Sequence, residues 1–483
     1  MTELSPRRRL LILAICCCSL LLVSMDVTIV NVALPAIRGD LNTSVSGLQW
    51  VMDAYTLVLA ALLILSGSTA DRFGRRRTFQ LGLAIFTLGS LLCSLSPNLQ
   101  ALVGFRIMQA VGGSMLNPVA MSIITNVFTD PRERGRAIGT WGAVIGVSFG
   151  LGPVVGGLLT EHVSWRATFW INVPIGIAAF ILAALFVPES RGDGARRFDP
   201  LGQVLVIVVL IGVTYATIEA PRRGWSSVSI WGLMIVAAAA LAAFIPHELR
   251  RRDPLIQLRF FRNLPFAGAT LMAVLAFGGF GGFMLINSLY LQEVRGFSPV
   301  SAGLSTLPIA VLTLILAPVS GRLVGTRGPR ISFAIAGITM SAAGVGLTRL
   351  TPHTSFWWLM ICYILFGTGF GLMNAPITYA AVSGMPRAQA GVAAAIASTS
   401  RQTGSALGVA VLGSMVSTSL VAVHPGDFTA ASHVAWWTVA GIYAAFFVVG
   451  ITVSSPWARS RPNRSAHLFA ADEQPRANAQ ASV

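Results

Sequence analysis

Gly67-Ser68-Thr69-Ala70-Asp71-Arg72-Phe73-Gly74-Arg75-Arg76-Arg77 stands between two apolar runs, residues 48–69 and 78–96. The segment is too short to fold alone, yet it carries four arginines. Each flanking run is long enough to cross about 30 Å of hydrocarbon as a helix, with every backbone polar group satisfied internally. Arginines crowded between two such runs hold their loop on the cytoplasmic side of a membrane.

The same alternation extends outward in both directions. Apolar runs recur at 10–35, 48–69, 78–96, 99–124, 137–160, 168–188, 201–219 and 229–247, then at 266–291, 299–320, 331–349, 356–380, 393–421 and 434–454. Fourteen membrane helices are expected. Arginine placement supports the count: with the N-terminus inside, 26 of the 34 basic residues fall in inside segments and six in outside loops. Arg106 and Arg401 remain, and both fall within helices.

Composition agrees. The 483 residues are 54% hydrophobic and 11% charged, whereas a soluble chain spends about a quarter of its residues on charge. Every basic residue is arginine, which excludes a P-loop lysine, a Schiff-base lysine and a kinase-type ATP lysine. The net charge of +16 is explained by loop topology, so no nucleic-acid partner is expected. Cys16, Cys17, Cys18, Cys93 and Cys362 all lie in apolar stretches without ligand spacing. The run after Arg7-Arg8-Arg9 continues to Val23 with no small-residue cleavage site, and reads as a retained first helix. Segments 188–200, 248–265 and 455–483 are too short for globular domains, so function is expected within the helices.

Gly67 to Arg76 fits G-x-x-x-D-R-x-G-R-R in full, and it resembles the cytoplasmic loop motif of the major facilitator superfamily. A weaker counterpart runs from Gly321-Arg322 to Arg330, with Gly325 where the acid would stand. One such segment per half implies an all-α polytopic fold of two six-helix bundles, 1–190 and 251–455, with two inserted helices at 191–250. The tail 456–483 is expected to be disordered. In that resemblance Gly67, Asp71, Arg72, Gly74, Arg75 and Arg76 form a gating latch between the bundles. The alternative is that the arginines only set orientation.

Further stretches resemble the fourteen-helix drug:proton antiporter branch of that superfamily. They are Met25-Asp26-Val27-Thr28 through Leu34-Pro35, Gln49-Trp50 through Leu57, Arg106-Ile107-Met108-Gln109, Trp165-Arg166 through Asn172-Val173-Pro174, and Ser400-Arg401-Gln402-Thr403-Gly404. Gly146, Gly150, Gly152, Pro153, Gly156 and Gly157 resemble the antiporter motif of the fifth helix. Simple small-residue packing is the other reading of those glycines.

Asp26 and Asp53 are the carboxylates placed clearly at membrane depth, where a charge costs at least about 2.5–3.5 kcal/mol. With Arg106 they fall in the outer half of the membrane, within reach of one cavity. A carboxylate there can hold either a proton or the influence of a substrate, which makes the three residues candidates for proton coupling. Asp53 as a helix cap and Arg106 as a packing partner are the structural alternatives. Tyr55, Met115, Trp141, Asn287, Tyr290, Asn374, Arg401 and Gln402 are candidates for the substrate cavity.

The expected activity is export of hydrophobic drugs, antibiotics or related small molecules, in exchange for protons, across the inner (cytoplasmic) membrane with both termini inside. An exporter of an endogenous metabolite or siderophore is the alternative. No cofactor, metal or ATPase subunit is expected, and a monomer suffices. His162, His247, His353, His424 and His433 form no H-E-x-x-H or similar ligand set, so an enzyme is not expected. Reporter fusions check the topology: those after Arg77 and Arg136 should report cytoplasm, and those near Asn98, Val163 and Ala220 the outside. A cytoplasmic signal at Ala220 would remove the inserted pair.

Overall fold

The computed structural model describes residues 5–191, 199–251, 254, 256, 258–382, 390–422 and 427–455. The expected disordered tail lies outside the described residues, as do the side chain of Asp71 and the surroundings of Gly146 and Gly150. Every regular element among the described residues is helical.

Among the described residues, thirteen helices are long and apolar enough to cross a membrane. In the first half they are Pro6–Asp40, Val45–Leu63, Arg75–Ser94, Leu99–Val127 and Ala167–Phe186. The inserted pair is Pro200–Pro221 and Val228–Arg250. The second half has Leu264–Val294, Pro299–Arg327, Arg330–Leu347, Phe356–Ala381, Ile396–Leu420 and Phe428–Val453. Pro131–His162, 32 residues long, is the fifth helix and completes fourteen; below, helices carry ordinal numbers in chain order.

Several ends are closed by side chains that accept the free amides of the first turn. Asn98 accepts from Ala101 N at 2.9 Å and Asp427 from Ala430 N at 3.0 Å. Such caps let helices continue past the hydrocarbon, and the helices run longer than the apolar runs. The second extends to Phe73, so most of the stretch expected as a loop is helix. The turn itself is Gly74, at φ 109°, a conformation that side chains other than glycine adopt at a cost.

Within the first half, the first helix packs on the fifth, the third on the fourth and sixth, and the second on the fourth. In the second half the ninth packs on the thirteenth and fourteenth, while the twelfth packs on the tenth and eleventh. An aromatic ladder fills that half, with Phe283 stacked on Phe366 at 4.1 Å and Phe280 on Phe370 at 4.4 Å. Without a hydrophobic drive between helices in lipid, such packing and interhelical hydrogen bonds supply the association.

The halves meet along the second and thirteenth helices, the fifth and tenth, and the first and ninth. Gln49 donates across this seam to the carbonyls of Val409 (3.1 Å) and Ala410 (2.9 Å). Ser288 donates to the Asn31 carbonyl at 2.6 Å and Gln292 to the Val32 carbonyl at 2.9 Å. Arg38 pairs with Glu293 at 2.5 Å, and Val300 N donates to Glu161 at 3.0 Å. These contacts cluster toward the end where the first helix finishes. The seventh helix lies against both the second and the thirteenth, so the inserted pair sits astride the seam.

The fifth helix serves both halves through its small residues. A Cβ at Gly152 would lie 1.9 Å from Thr28 Oγ1, and one at Gly157 2.5 Å from the Pro299 carbonyl oxygen across the seam. Gly152→Leu is therefore expected to prise the fifth helix from the first and to lower transport at least about tenfold at equal membrane insertion. Transport assays on vesicles normalised for protein check this, and normal transport would reduce the glycine to replaceable packing.

Candidate functional site

The site begins with one carboxylate that lipid cannot tolerate alone. Asp26, on the first helix, has no accessible surface, and Arg106, on the fourth, is 1% exposed. Arg106 Nη1 donates to Asp26 Oδ2. The same nitrogen donates to Gln109 Oε1 at 2.8 Å, and Arg106 Nε donates to the Val51 carbonyl at 3.1 Å. Gln109 Nε2 donates to Asp26 Oδ1 at 2.8 Å and to Ser90 Oγ at 2.7 Å. Asn172 Nδ2 is the third donor to the carboxylate, reaching Asp26 Oδ1 at 3.2 Å.

The guanidinium is also sandwiched by rings, its carbon 4.2 Å from the Tyr55 centroid and 5.6 Å from that of Phe169. Five helices of the first half thus converge on one ion pair. Geometry this complete is what a buried pair needs to repay its desolvation.

Asp53 lies on the second helix with no accessible surface. Neither of its oxygens has a hydrogen-bond partner. The nearby hydroxyl of Thr56 donates instead to the Met52 carbonyl at 3.2 Å. Two intramembrane aspartates therefore occupy contrasting environments, Asp26 saturated with donors and Asp53 with only the Thr56 hydroxyl near it among the described residues.

At the seam lies a small, partly open pocket with a volume of about 20 Å³, and none of Asp26, Asp53 and Arg106 lines it. Thr28 and Asn31 from the first helix, Pro153 from the fifth, Met284 and Asn287 from the ninth and Thr306 line it. Asn31 Oδ1 is buried without a partner, while Asn287 Oδ1 accepts from the Tyr363 hydroxyl at 2.6 Å. The lining is mostly apolar with a few uncharged hydrogen-bonding groups, and the space holds no more than about a water molecule.

The other cavity candidates are distributed more widely. Tyr55 is fully buried against Arg106. Met115 packs toward Gly82 of the third helix. Trp141 is part of the first-half core, its indole N–H without a partner. Tyr290 donates its hydroxyl to the Thr351 carbonyl at 2.8 Å. Asn374 and Gln402 are half-buried. Arg401 donates to Thr378 Oγ1 at 2.6 Å.

At the second-to-third helix turn, Glu189 gathers the described part of the motif. Its Oε1 accepts from Arg76 N at 3.1 Å, and Arg77 Nε lies 3.7 Å from Oε2. Arg75 N donates to the Ser190 carbonyl at 2.8 Å. The described contacts tie this turn to the end of the sixth helix, inside the first half.

Sequence reasoning missed Ser90, Gln109 and Asn172. The signal was present for two of them: Gln109 stands one turn from Arg106, and Asn172 closes the Trp165-to-Asn172 segment. The start of that segment is anchored elsewhere, with Trp165 Nε1 and Arg166 Nη1 donating to Asp40 Oδ2 at 2.9 and 2.6 Å.

Two halves of membrane-length helices joined at a polar seam, with an ion pair buried inside the first half, describe a polytopic membrane protein. The chain matches the Major Facilitator Superfamily over residues 16–409, and it belongs to that family. It is 36% identical over 403 residues to the Multidrug resistance protein Stp of Mycobacterium tuberculosis, covering 83% of this chain and 75% of that protein. It is 35% identical over 415 residues to the Tetracenomycin C resistance and export protein of Streptomyces glaucescens, covering 86% and 77%. The Multidrug efflux pump LfrA of Mycolicibacterium smegmatis is 34% identical over 400 residues, covering 82% and 78%. Among solved structures, a peptide transporter in complex with sulfate superposes with a TM-score of 0.68 at 14% identity, covering 93% of this chain and 95% of that one. A D-xylose-proton symporter gives 0.64 at 17%, covering 92% and 97%. These two likenesses concern the fold.

Removing one partner of the pair strands the other. Arg106→Ala should destabilise the protein by about 3–5 kcal/mol, and adding Asp26→Asn should recover at least about 1 kcal/mol of that loss. Unfolding of the purified variants in detergent measures the cycle, and additive effects would show that the two charges are not coupled.

Proposed function

We propose that this transporter is a proton-coupled antiporter that exports hydrophobic drugs and antibiotics across the cytoplasmic membrane by alternating access. One observation supports the reading: the first helix carries both the buried, donor-saturated Asp26 of the Asp26–Arg106 pair and, within two turns of it, Thr28 and Asn31 at the seam of the two bundles. The names of the relatives support export of drugs and antibiotics. That one of them exports tetracenomycin C keeps an endogenous metabolite as the second reading.

In this mechanism Asp26, Asp53 and Arg106 couple the proton to the substrate. Protonating Asp26 removes the charge that Arg106, Gln109 and Asn172 hold, and frees their donors. The first helix, which carries Asp26 and the cavity residues Thr28 and Asn31, can then shift against the fifth and ninth. Asp53, buried on the neighbouring second helix, is the second carboxyl group of this proposed coupling.

Alternating access then consists of opening the contacts at the end where the first helix finishes. They are single hydrogen bonds and one half-exposed ion pair, each worth about 0.5–1.5 kcal/mol. Arg401 has no acidic partner among the described ion pairs, so the second half favours neutral or acidic substrates over dications.

Asp26→Asn keeps the size and hydrogen-bonding capacity of the side chain while removing the proton site. It should abolish uphill efflux and substrate-induced proton release while downhill exchange survives, and Asp26→Glu should keep partial activity. Efflux from reconstituted vesicles under an imposed pH difference is the measurement. Undiminished uphill efflux would move the coupling role to Asp53.

A further inference from the structure

A second polar cluster lies outside this site, at the base of the inserted helix pair. Asp199 caps the start of the seventh helix, and His247 and Glu248 close the eighth. Asp199 is 5% and Glu248 3% exposed. Two carboxylates are thus buried side by side, where like charges repel strongly and need a compensating cation.

The hydrogen bonds divide each carboxylate in the same way. Asp199 Oδ1 accepts from Gly202 N at 3.0 Å, from His247 Nε2 at 3.0 Å and from Arg251 Nη1 at 3.1 Å. The same imidazole nitrogen reaches Oδ2 at 3.2 Å. Glu248 Oε2 accepts from Ile256 N at 2.9 Å, whereas Oε1 is buried with no geometric hydrogen-bond partner among the described residues. Protein donors therefore hold one oxygen of each group more fully than the other, and the two carboxyl groups face each other at hydrogen-bonding range.

The two less fully held oxygens converge. A Cβ built on Gly202 would lie 2.5 Å from Asp199 Oδ2 and 2.7 Å from Glu248 Oε1, so both point to one place that a larger residue would fill. His247 Nε2 faces the same place. One ligand atom from each of Asp199, His247 and Glu248 lies within 4.8 Å of the other two. Ligand atoms about 2.0–2.2 Å from a common ion stand roughly 3.3 Å apart, which small side-chain rotations reach from here.

We propose that Asp199, His247 and Glu248 form a binding site for a divalent transition metal, Zn²⁺ or a close relative. An imidazole with two carboxylates is a hard-to-borderline ligand set that suits such ions. The metal supplies the positive charge that the second carboxylate lacks, while Arg251 stays on Oδ1. It joins the first turn of the seventh helix to the last turn of the eighth. Because the seventh lies against both the second and thirteenth helices, the ion fixes the base of the element that straddles the seam.

Sequence reading found no ligand motif here because Asp199 stands 48 residues before His247, and the pair His247-Glu248 alone matches no metal spacing.

The test uses the full-length protein in nanodiscs, purified without a histidine tag and stripped with chelator. Cobalt titration should give visible d–d absorption saturating at one ion per chain, displaced by Zn²⁺, and Zn²⁺ should raise the melting temperature. His247→Ala and Glu248→Gln should each weaken Co²⁺ binding at least about tenfold. Gly202→Ala should do the same without removing a ligand. Variant melting temperatures equal to that of the stripped wild type establish that the fold is intact. His247→Asn provides a milder change at this half-buried position if alanine lowers the yield. Absence of saturable binding, or binding unchanged in all these variants, overturns the site. So does an infrared band of a protonated carboxyl that persists in zinc-treated wild type and vanishes in Glu248→Gln, because a shared proton then holds the pair.

Discussion

Burying one carboxylate and one guanidinium at membrane depth is the constraint on which the first half of the molecule is organised. Neither Asp26 nor Arg106 can be left without compensation in lipid. The compensation comes from residues that are far apart in sequence: Ser90, Gln109 and Asn172 supply hydrogen bonds, Val51 supplies a carbonyl, and Tyr55 and Phe169 supply ring faces. Satisfying one ion pair fixes how the first, second, third, fourth and sixth helices meet. The second half contains no equivalent pair among the described residues, and its order comes from stacked aromatic rings instead.

This asymmetry bears on movement. Charged residues gather around one helix of the first half, and the first helix is also the one that reaches the cavity and the seam. Its Asn31 and Val32 carbonyls accept from the ninth helix. The Val32 carbonyl keeps its place in the helix when Gln292 lets go, whereas the Asn31 carbonyl faces Pro35, which has no N–H to offer one turn on, so Ser288 supplies the donor that the helix itself lacks there. Apart from that one carbonyl, a seam built from side-chain donors onto helical carbonyls can open at modest cost. The close fit of the fifth helix at Gly152 and Gly157 gives the movement a surface to turn on.

Much of this was legible in the chain, and the boundary of what was legible has a physical origin. Membrane helices announce themselves through apolar length, and the number and order of helices follow from it. Asp26 and Arg106 announce themselves because charge at such depth demands a reason. Uncharged partners announce themselves less: Gln109 and Asn172 stand in motifs of the sequence, but Ser90 looks like an ordinary polar residue until the fold brings it to Gln109. The stretch from Gly67 was expected as a loop because its charges outweigh its apolar residues, yet backbone hydrogen bonding carries the helix to Phe73 and leaves the turn to Gly74 alone. Glu189 and Glu248 were passed over for the opposite reason. Near a run's end an acid reads as solvated, and only the fold reveals that Glu248 is buried.

The two intramembrane aspartates raise the final question of why a transporter would keep both. Asp26 is surrounded by donors from three side chains, whereas the oxygens of Asp53 meet no hydrogen-bond partner among the described residues. Asp26 sits on the first helix and Asp53 on the second, and Arg106 connects the two helices by binding the carboxylate of one and the Val51 carbonyl of the other. Movement between these helices changes both environments at once. In the proposed antiport, the hold on one aspartate therefore loosens as the surroundings of the other change. The pair can pass a proton in step with the conformational cycle, which neither residue could do alone.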